Sequence, residues 1–298
     1  NNDSTGTCFS TMKKQTTTMI GLETHLQLNT DSKLFCGCST KTTDKPNSQT
    51  CNICLGHPGS KPMLNKKVLQ YALKLCAALG CKIEKKIAFS RKTYFYPDMS
   101  KNYQITQFEI PLGKKGTIKL KSGKLVEIER IHIEEDPAAL VHEDGMQESQ
   151  YVLIDYNRSG IPLVEIVTTP CMNSPAEARE FLKELIKTVK YLNIFDENNG
   201  VLKADLNIST PGHPRAEIKN VSGFKEGERA LNYELVRQKM AIKMDKKPIM
   251  ETRGWDGSKT FFLRSKETEA DYGYIIDADL PQIKISKKQL DEIKKEVP

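Results

Sequence analysis

Four of the eight cysteines fall in one short stretch, CGCSTKTTDKPNSQTCNIC, as Cys36-x-Cys38 and, twelve residues on, Cys51-x-x-Cys54. Two close cysteine pairs joined by a polar, turn-rich loop can wrap a tetrahedral Zn²⁺. Four thiolates close the coordination shell, so such a metal is structural; four reduced thiols are the plain alternative. Acidic residues form a second set. In MIGLETHLQL, Glu23 and His25 lie two apart, and residues two apart on a strand share a face. In VLKADLNIS and PRAEIKN, apolar positions alternate with Lys203, Asp205 and Asn207, then with Arg215, Glu217 and Lys219. The link TPGHP folds these into a hairpin centred near Gly212, with Asn207 opposite Glu217 and Asp205 diagonal to it. IERIHIEEDPAAL adds Glu134, Glu135 and Asp136 at a strand end. Carboxylates placed so closely need a cation between them. With one histidine they make a hard, oxygen-rich set suited to Mg²⁺ or Mn²⁺. On the hairpin alone, a solvated polar face with Lys203 and Lys219 as partners explains the pattern at least as well.

A third set lies in SRKTYFYPDMSKNYQITQFEIPL, where Arg91, Lys92 and Lys101 interleave with Tyr94, Tyr96 and Tyr103. Cations among aromatics suit phosphate contacts and stacking on a nucleotide or nucleic acid; tyrosines buried in a core are the alternative. There is no G-x-x-x-x-G-K-[ST] loop and no G-x-S-x-G elbow. Any ATP must therefore be held through metal-bridging carboxylates.

The elements that position these residues follow from periodicity. Residues 62–80 place Leu64, Val68, Tyr71, Leu75 and Ala78 on one helical stripe, with Gly80 as the stop. A second helix spans 175–193, with Ser174 as cap, Pro175 in the first turn and Glu177 closing a capping box. A third covers 224–244 and a short one follows Ser286. Between them the pattern alternates with period two and is broken by turns such as KSGK and TPGHPR. Strands in antiparallel runs with helices interspersed singly predict an α+β fold. The 298 residues carry a formal net charge of +7, which permits a polyanionic partner without requiring one. No apolar run is long enough to cross a membrane. The polar first 18 residues read as a flexible leader without signal-peptide character, so the cysteines predict no disulfide framework. Cys8, Cys76, Cys81 and Cys171 read as small structural residues.

IGLETHLQLNTDSKLFCGCST, CNICLGHPGSKPMLNKK, RKTYFYPDMSKNYQITQFEIPL, RIHIEED, DYNRSGIPLVEIV, KADLNIS, AEIKNVSGF and ETRGWD occur in that order. Together they resemble the GatB/GatE family, the B subunits of the tRNA-dependent amidotransferases, from about Ile20 to Pro281. The resemblance implies a catalytic cradle over residues 19–285, with a fold like glutamine synthetase and the guanido kinases and a zinc-binding element at about 34–56. Residues 286–298 would begin a linker to C-terminal helical and tail domains outside this sequence. It implies ATP-dependent phosphorylation of the side-chain carboxylate of glutamyl-tRNA(Gln) or aspartyl-tRNA(Asn), then amidation by ammonia from an amidase A subunit. A small C subunit is an open choice, and the default location is the cytoplasm, away from membranes. Residue by residue, it assigns catalytic metal binding (Mg²⁺, with Mn²⁺ as the alternative) to Glu23, His25, Glu135, Asp205 and Glu217. It assigns zinc to Cys36, Cys38, Cys51 and Cys54. Arg91, Lys92, Tyr94, Tyr96, Lys101, Tyr103 and Arg158 become the candidates for ATP or tRNA contacts. Alternation puts Glu135 on the side of Ile131 and Ile133, so its assignment requires a bend after Ile133. Where relatives often carry Arg-Tyr-Phe-Pro, this chain reads DYGYIIDADLP over 271–281. A zinc-stabilised tRNA-binding module without catalysis and a small-molecule amide ligase of the glutamine-synthetase type are the competing readings.

Overall fold

The computed structural model describes residues 17–143, 149–198, 200–246, 249–265 and 272–297. Most of the leader, Cys8 included, and Asp271 lie outside the described residues. In chain order the strands are β1 (Met19–Gln27), β2 (Lys82–Ile83), β3 (Lys86–Ile87), β4 (Ser90–Thr93), β5 (Tyr103–Thr106), β6 (Gly113–Lys119), β7 (Leu125–Glu135) and β8 (Ala139–Val141). They continue with β9 (Leu153–Asp155), β10 (Pro162–Thr168), β11 (Leu202–Ser209), β12 (Ala216–Ser222), β13 (Glu251–Trp255), β14 (Thr260–Ser265), β15 (Gly273–Ile276) and β16 (Ile283–Lys284). Nine of them form one sheet in the order β14-β13-β12-β11-β1-β10-β7-β6-β2. Within it β12 and β13 run parallel and the other pairs antiparallel. A smaller sheet, β15-β4-β5, leans on it through β5 and β7. The predicted α+β class with antiparallel sheets is what the chain adopts.

The helices are α1 (Lys66–Ala78), α2 (Pro175–Tyr191), α3 (Phe224–Lys243) and α4 (Lys287–Lys295). The first begins later than its apolar stripe predicts, because Asn65 caps it by accepting from the Lys67 N–H at 2.9 Å. At α2, Ser174 Oγ accepts from the Glu177 N–H, and the Glu177 carboxylate accepts from the Asn173 N–H at 2.8 Å. The box is thus closed one residue further back than its standard form. Helices α1, α2 and α3 cover one face of the large sheet. Leu22, Leu26, Ile131, Ile166, Leu206 and Ile208 pack there with Leu182, Leu185 and Leu231 in a single core. Each such burial contributes about 1.5–3 kcal/mol. Gly116 is required where β6 passes the end of α1, since a Cβ there would lie 2.5 Å from Cys81 Sγ and 3.0 Å from the Leu79 carbonyl. The opposite face of the sheet carries the polar side chains.

Candidate metal and phosphate site

Alternation along five neighbouring strands sorts their polar residues onto that second face. In β1, Leu22, Thr24 and Leu26 turn to the core, so Glu23 and His25 turn away from it. The register sets Glu23 opposite Asp205 on β11 and His25 opposite Glu165 on β10. Glu165 in turn faces His132 on β7, and Asn207 faces Glu217 on β12. A one-residue bulge places Lys219 and Asn220 together opposite Asp205. The predicted hairpin, with its Asn207–Glu217 pair, is present.

Two constellations result, each with its donor atoms within 4.8 Å of one another: Glu23, Asp205 and Glu217, and beside it His25, Glu134 and Glu165. His25 Nε2 lies 3.6 Å from Glu134 and 3.5 Å from Glu165, while His132 Nε2 lies 3.2 Å from Glu165. In the first group the Lys219 ammonium stands 2.5 Å from Asp205 and 3.2 Å from Glu217. Asn207 Nδ2 donates to Glu23 at 3.0 Å, and Thr252 Oγ1 donates to Glu217 at 3.1 Å. Burial works against charge on His25 and His132, but Glu165 and Glu134 outweigh it and hold them at about 10 and about 9. Burial would raise Glu165, yet His132 and His25 keep it well below the usual carboxylate range. Burial and the Glu165 charge push Glu23 up. Buried Lys219 keeps its proton because Asp205 and Glu217 outweigh desolvation. Three carboxylates, and two carboxylates with an imidazole, are donor sets for hard divalent cations. Protonated side chains balance them here.

Glu135 is a correction. Beyond a bulge near Glu129, strand β7 alternates from Ile131 through Glu135 and pairs with β10 in unbroken register to its last residue. Glu135 therefore stays on the core side. There it is bound by Lys101 Nζ at 2.6 and 2.7 Å and by the Ile105 N–H at 2.9 Å. Glu134 occupies the groove position instead, held by Thr106 Oγ1 at 3.1 Å. Glu23, Asp205 and Glu217 come together, and His25 lies in the neighbouring group. Sequence reasoning missed His132 and Glu165 as members, while Lys219 is the carboxylate partner that the polar-face reading of the hairpin named. His132-x-Glu134 repeats the two-apart pattern of Glu23-x-His25, and Glu165 is the lone charge in an apolar run.

A cavity of about 850 Å³, within the range of ligand sites, opens over this face. Glu23, His132, Glu134, Glu165, Glu217 and Lys219 line its floor, with Arg130, Arg215, Lys92, Phe108 and Tyr274 around it. Phe108 and Tyr274 stack at 3.9 Å, and Lys92 Nζ sits 4.5 Å above the Tyr272 ring. Of the seven candidate phosphate or tRNA contacts, Lys92 lines this cavity. Arg91 is bound to Asp277 and Asp279 and lies over Tyr103, Lys101 is bound to Glu135, and Arg158 to Asp136 at 2.6 Å. Tyr94 meets Tyr272 edge-on, and Tyr96 is exposed.

The four clustered cysteines also converge, their sulfurs within 4.8 Å of one another. A zinc tetrahedron with Zn–S bonds of about 2.3 Å has edges of about 3.8 Å, so the set fits that ion. The Cys36 thiol hydrogen bond, the Cys51 N–H and the Lys33 charge pull Cys54 down to about 4 against burial.

A sheet face with two acid clusters under a cation-rimmed cavity defines a candidate metal-and-phosphate enzyme. The GatB/GatE catalytic domain model matches residues 18–291, and the chain belongs to that family. It is 48% identical over 276 residues to the B subunit of the aspartyl/glutamyl-tRNA(Asn/Gln) amidotransferase of Methanospirillum hungatei, covering 90% of this chain and 58% of the relative. The corresponding protein of Sulfolobus acidocaldarius is 47% identical over 289 residues, and that of Picosynechococcus 43% over 301, each covering 94% of this chain and 61% of the relative. The chain thus spans about three fifths of the length of these relatives.

Proposed function

We propose that this chain is the catalytic cradle of an ATP-dependent aminoacyl-tRNA transamidase, with a fold akin to glutamine synthetase. The observation that carries the reading is the pair of acid clusters side by side on one sheet face under a cavity of nucleotide size. The γ-phosphoryl group of ATP passes to the side-chain carboxylate of glutamyl-tRNA(Gln) or aspartyl-tRNA(Asn), giving an acyl phosphate and ADP. Ammonia then attacks the acyl carbon, phosphate leaves, and the amide forms with loss of a proton.

Glu23, Asp205 and Glu217 would hold one divalent cation, and His25, Glu134 and Glu165 a second. Magnesium, or manganese, supplies neutralisation of the phosphate oxygens as charge shifts between them. Asn207 and Thr252 fix the carboxylates of Glu23 and Glu217, and Thr106 that of Glu134. Lys92, Arg130 and Arg215 face the cavity as phosphate partners. Cys36, Cys38, Cys51 and Cys54 hold a structural zinc. A separate amidase A subunit, with or without a small C subunit, supplies ammonia in the cytoplasm. Among the described residues no helix is long and apolar enough to cross a membrane.

The test supplies the full-length protein with ATP, Mg²⁺ and ammonium chloride, and offers glutamyl-tRNA(Gln), aspartyl-tRNA(Asn) and free glutamate in turn. Metal-dependent amide formation on either tRNA is expected. Turnover of free glutamate alone would make the protein a small-molecule ligase. Tight tRNA binding without transfer would leave a binding module.

A further inference from the structure

Lys33 is fully buried. Its ammonium donates to the Gln49 carbonyl at 2.8 Å and the Tyr156 carbonyl at 3.3 Å, and lies 3.7 Å from Cys54 Sγ. A buried ammonium is costly unless an anion compensates it. A zinc ion with four thiolates is a doubly negative centre, and this lysine lies against one of its sulfurs. The loop between the two cysteine pairs also grips the 154–160 turn from several sides. Asn47 N–H donates to Asp155 at 2.9 Å, and Asn47 Oδ1 accepts from the Tyr156 N–H at 2.7 Å. Asn157 Oδ1 accepts from the Gln49 N–H at 2.7 Å, and its amide donates to the Lys45 carbonyl at 2.8 Å. Ser159 Oγ donates to the Cys54 carbonyl at 2.9 Å. Gly160 takes φ +86°, a left-handed conformation that favours glycine, and lies beside Cys54 and Lys33, to whose Cβ and Cδ a Cβ there would make ordinary contact at 3.6 Å. The same turn presents Arg158, bound to Asp136 at 2.6 Å directly after the last residue of β7.

We propose that the four-cysteine centre is a clamp on the 154–160 turn, with Lys33 as the positioning residue that ties the two. Zinc occupancy thereby fixes Arg158 against buried Asp136, just past the end of β7. This rests on the zinc reading of the cysteines proposed above and goes beyond it, since the centre then acts on a segment remote from it in sequence. Partners just outside a metal's ligands alter its affinity by about 10–100-fold when removed. Lys33→Met keeps an unbranched side chain one heavy atom shorter and removes the ammonium with its charge and donors.

The experiment uses the full-length protein, stripped of zinc and reloaded. Zinc affinity is measured by competition with a chelating dye, and backbone hydrogen exchange is followed over residues 36–54 and 154–160. Zinc removal is expected to speed exchange in both segments, and Lys33→Met to weaken zinc binding by about 10–100-fold. Asn157→Ala removes two of the clamp's hydrogen bonds, those to Gln49 and Lys45, without touching Lys33. It is expected to retain zinc affinity while the response of exchange over 154–160 to the metal shrinks, and it carries the test should Lys33→Met not fold. If zinc binds the native protein but 154–160 exchanges alike with and without it, the clamp is overturned and the zinc site stands. Native affinity in a folded Lys33→Met protein overturns the role of Lys33. If the native protein binds no zinc, both the clamp and the cysteine reading fall.

Discussion

Glu134 and Glu135 are adjacent in sequence yet turn to opposite faces of β7, one toward the groove and one toward Lys101. Their chemistry diverges accordingly. Glu135→Gln leaves the Lys101 ammonium in a nearly buried site without its charge partner, and breaking such a pair costs about 3–5 kcal/mol. Urea denaturation should show that loss while divalent-metal affinity stays native. Glu165→Gln should lose metal and, in the metal-free protein, also the stability that charged His25 and His132 contribute. Titration gives a second residue-level expectation. In the metal-free protein His25 and His132 sit at about 10 and about 9, above their ordinary 6.5. A histidine raised by folding contributes stability that is complete below about 6.5 and is lost as pH climbs through its folded value. Thermal melting in EDTA should therefore fall between pH 7 and pH 10. Metal binding needs the neutral imidazole of His25, so metal affinity should rise over the same interval. A melting temperature flat across that window would refute the charged-histidine account.

At the scale of elements, one strand serves core and chemistry on alternate residues. Leu206 of β11 is fully buried on the helix side, between Asp205 and Asn207 on the groove side. Leu206→Ala should cost about 2–5 kcal/mol in denaturant while the folded protein keeps its metal affinity. Gly116→Ala, which drives a methyl toward Cys81 Sγ and the Leu79 carbonyl, should cost about 1–3 kcal/mol without touching the groove. Such local features are legible in the sequence. Apolar spacing and the caps at Ser174 and Ser286 mark the helices, and the turn at Gly212 fixes the Asn207–Glu217 register. What escapes a sequence reading depends on pairing between distant strands. Nothing near Glu165 in IPLVEIV announces that it lies between His25 and His132; only the β10 pairings with β1 and β7 bring them together. Arg91, Lys101 and Arg158 read as free cations in a sequence, but folding supplies each with a carboxylate. The assignment of Glu135 follows the order of a motif, which fixes position along a strand, whereas alternation fixes the face.

At the scale of the molecule, one sheet separates an apolar layer under α1, α2 and α3 from a polar groove roofed by the smaller sheet. Acids from strands distant in sequence are forced together there against their own repulsion, and Lys219, His25 and His132 balance them. On the proposed reading, this balance gives way to two bound divalent cations. Manganese binding, followed by electron paramagnetic resonance on the full-length protein, tests it most directly. Two ions should bind the native protein and Glu135→Gln, while Glu165→Gln and Glu217→Ala should each lose one. A native protein that binds no manganese, or a Glu165→Gln protein that still binds both ions, would contradict it.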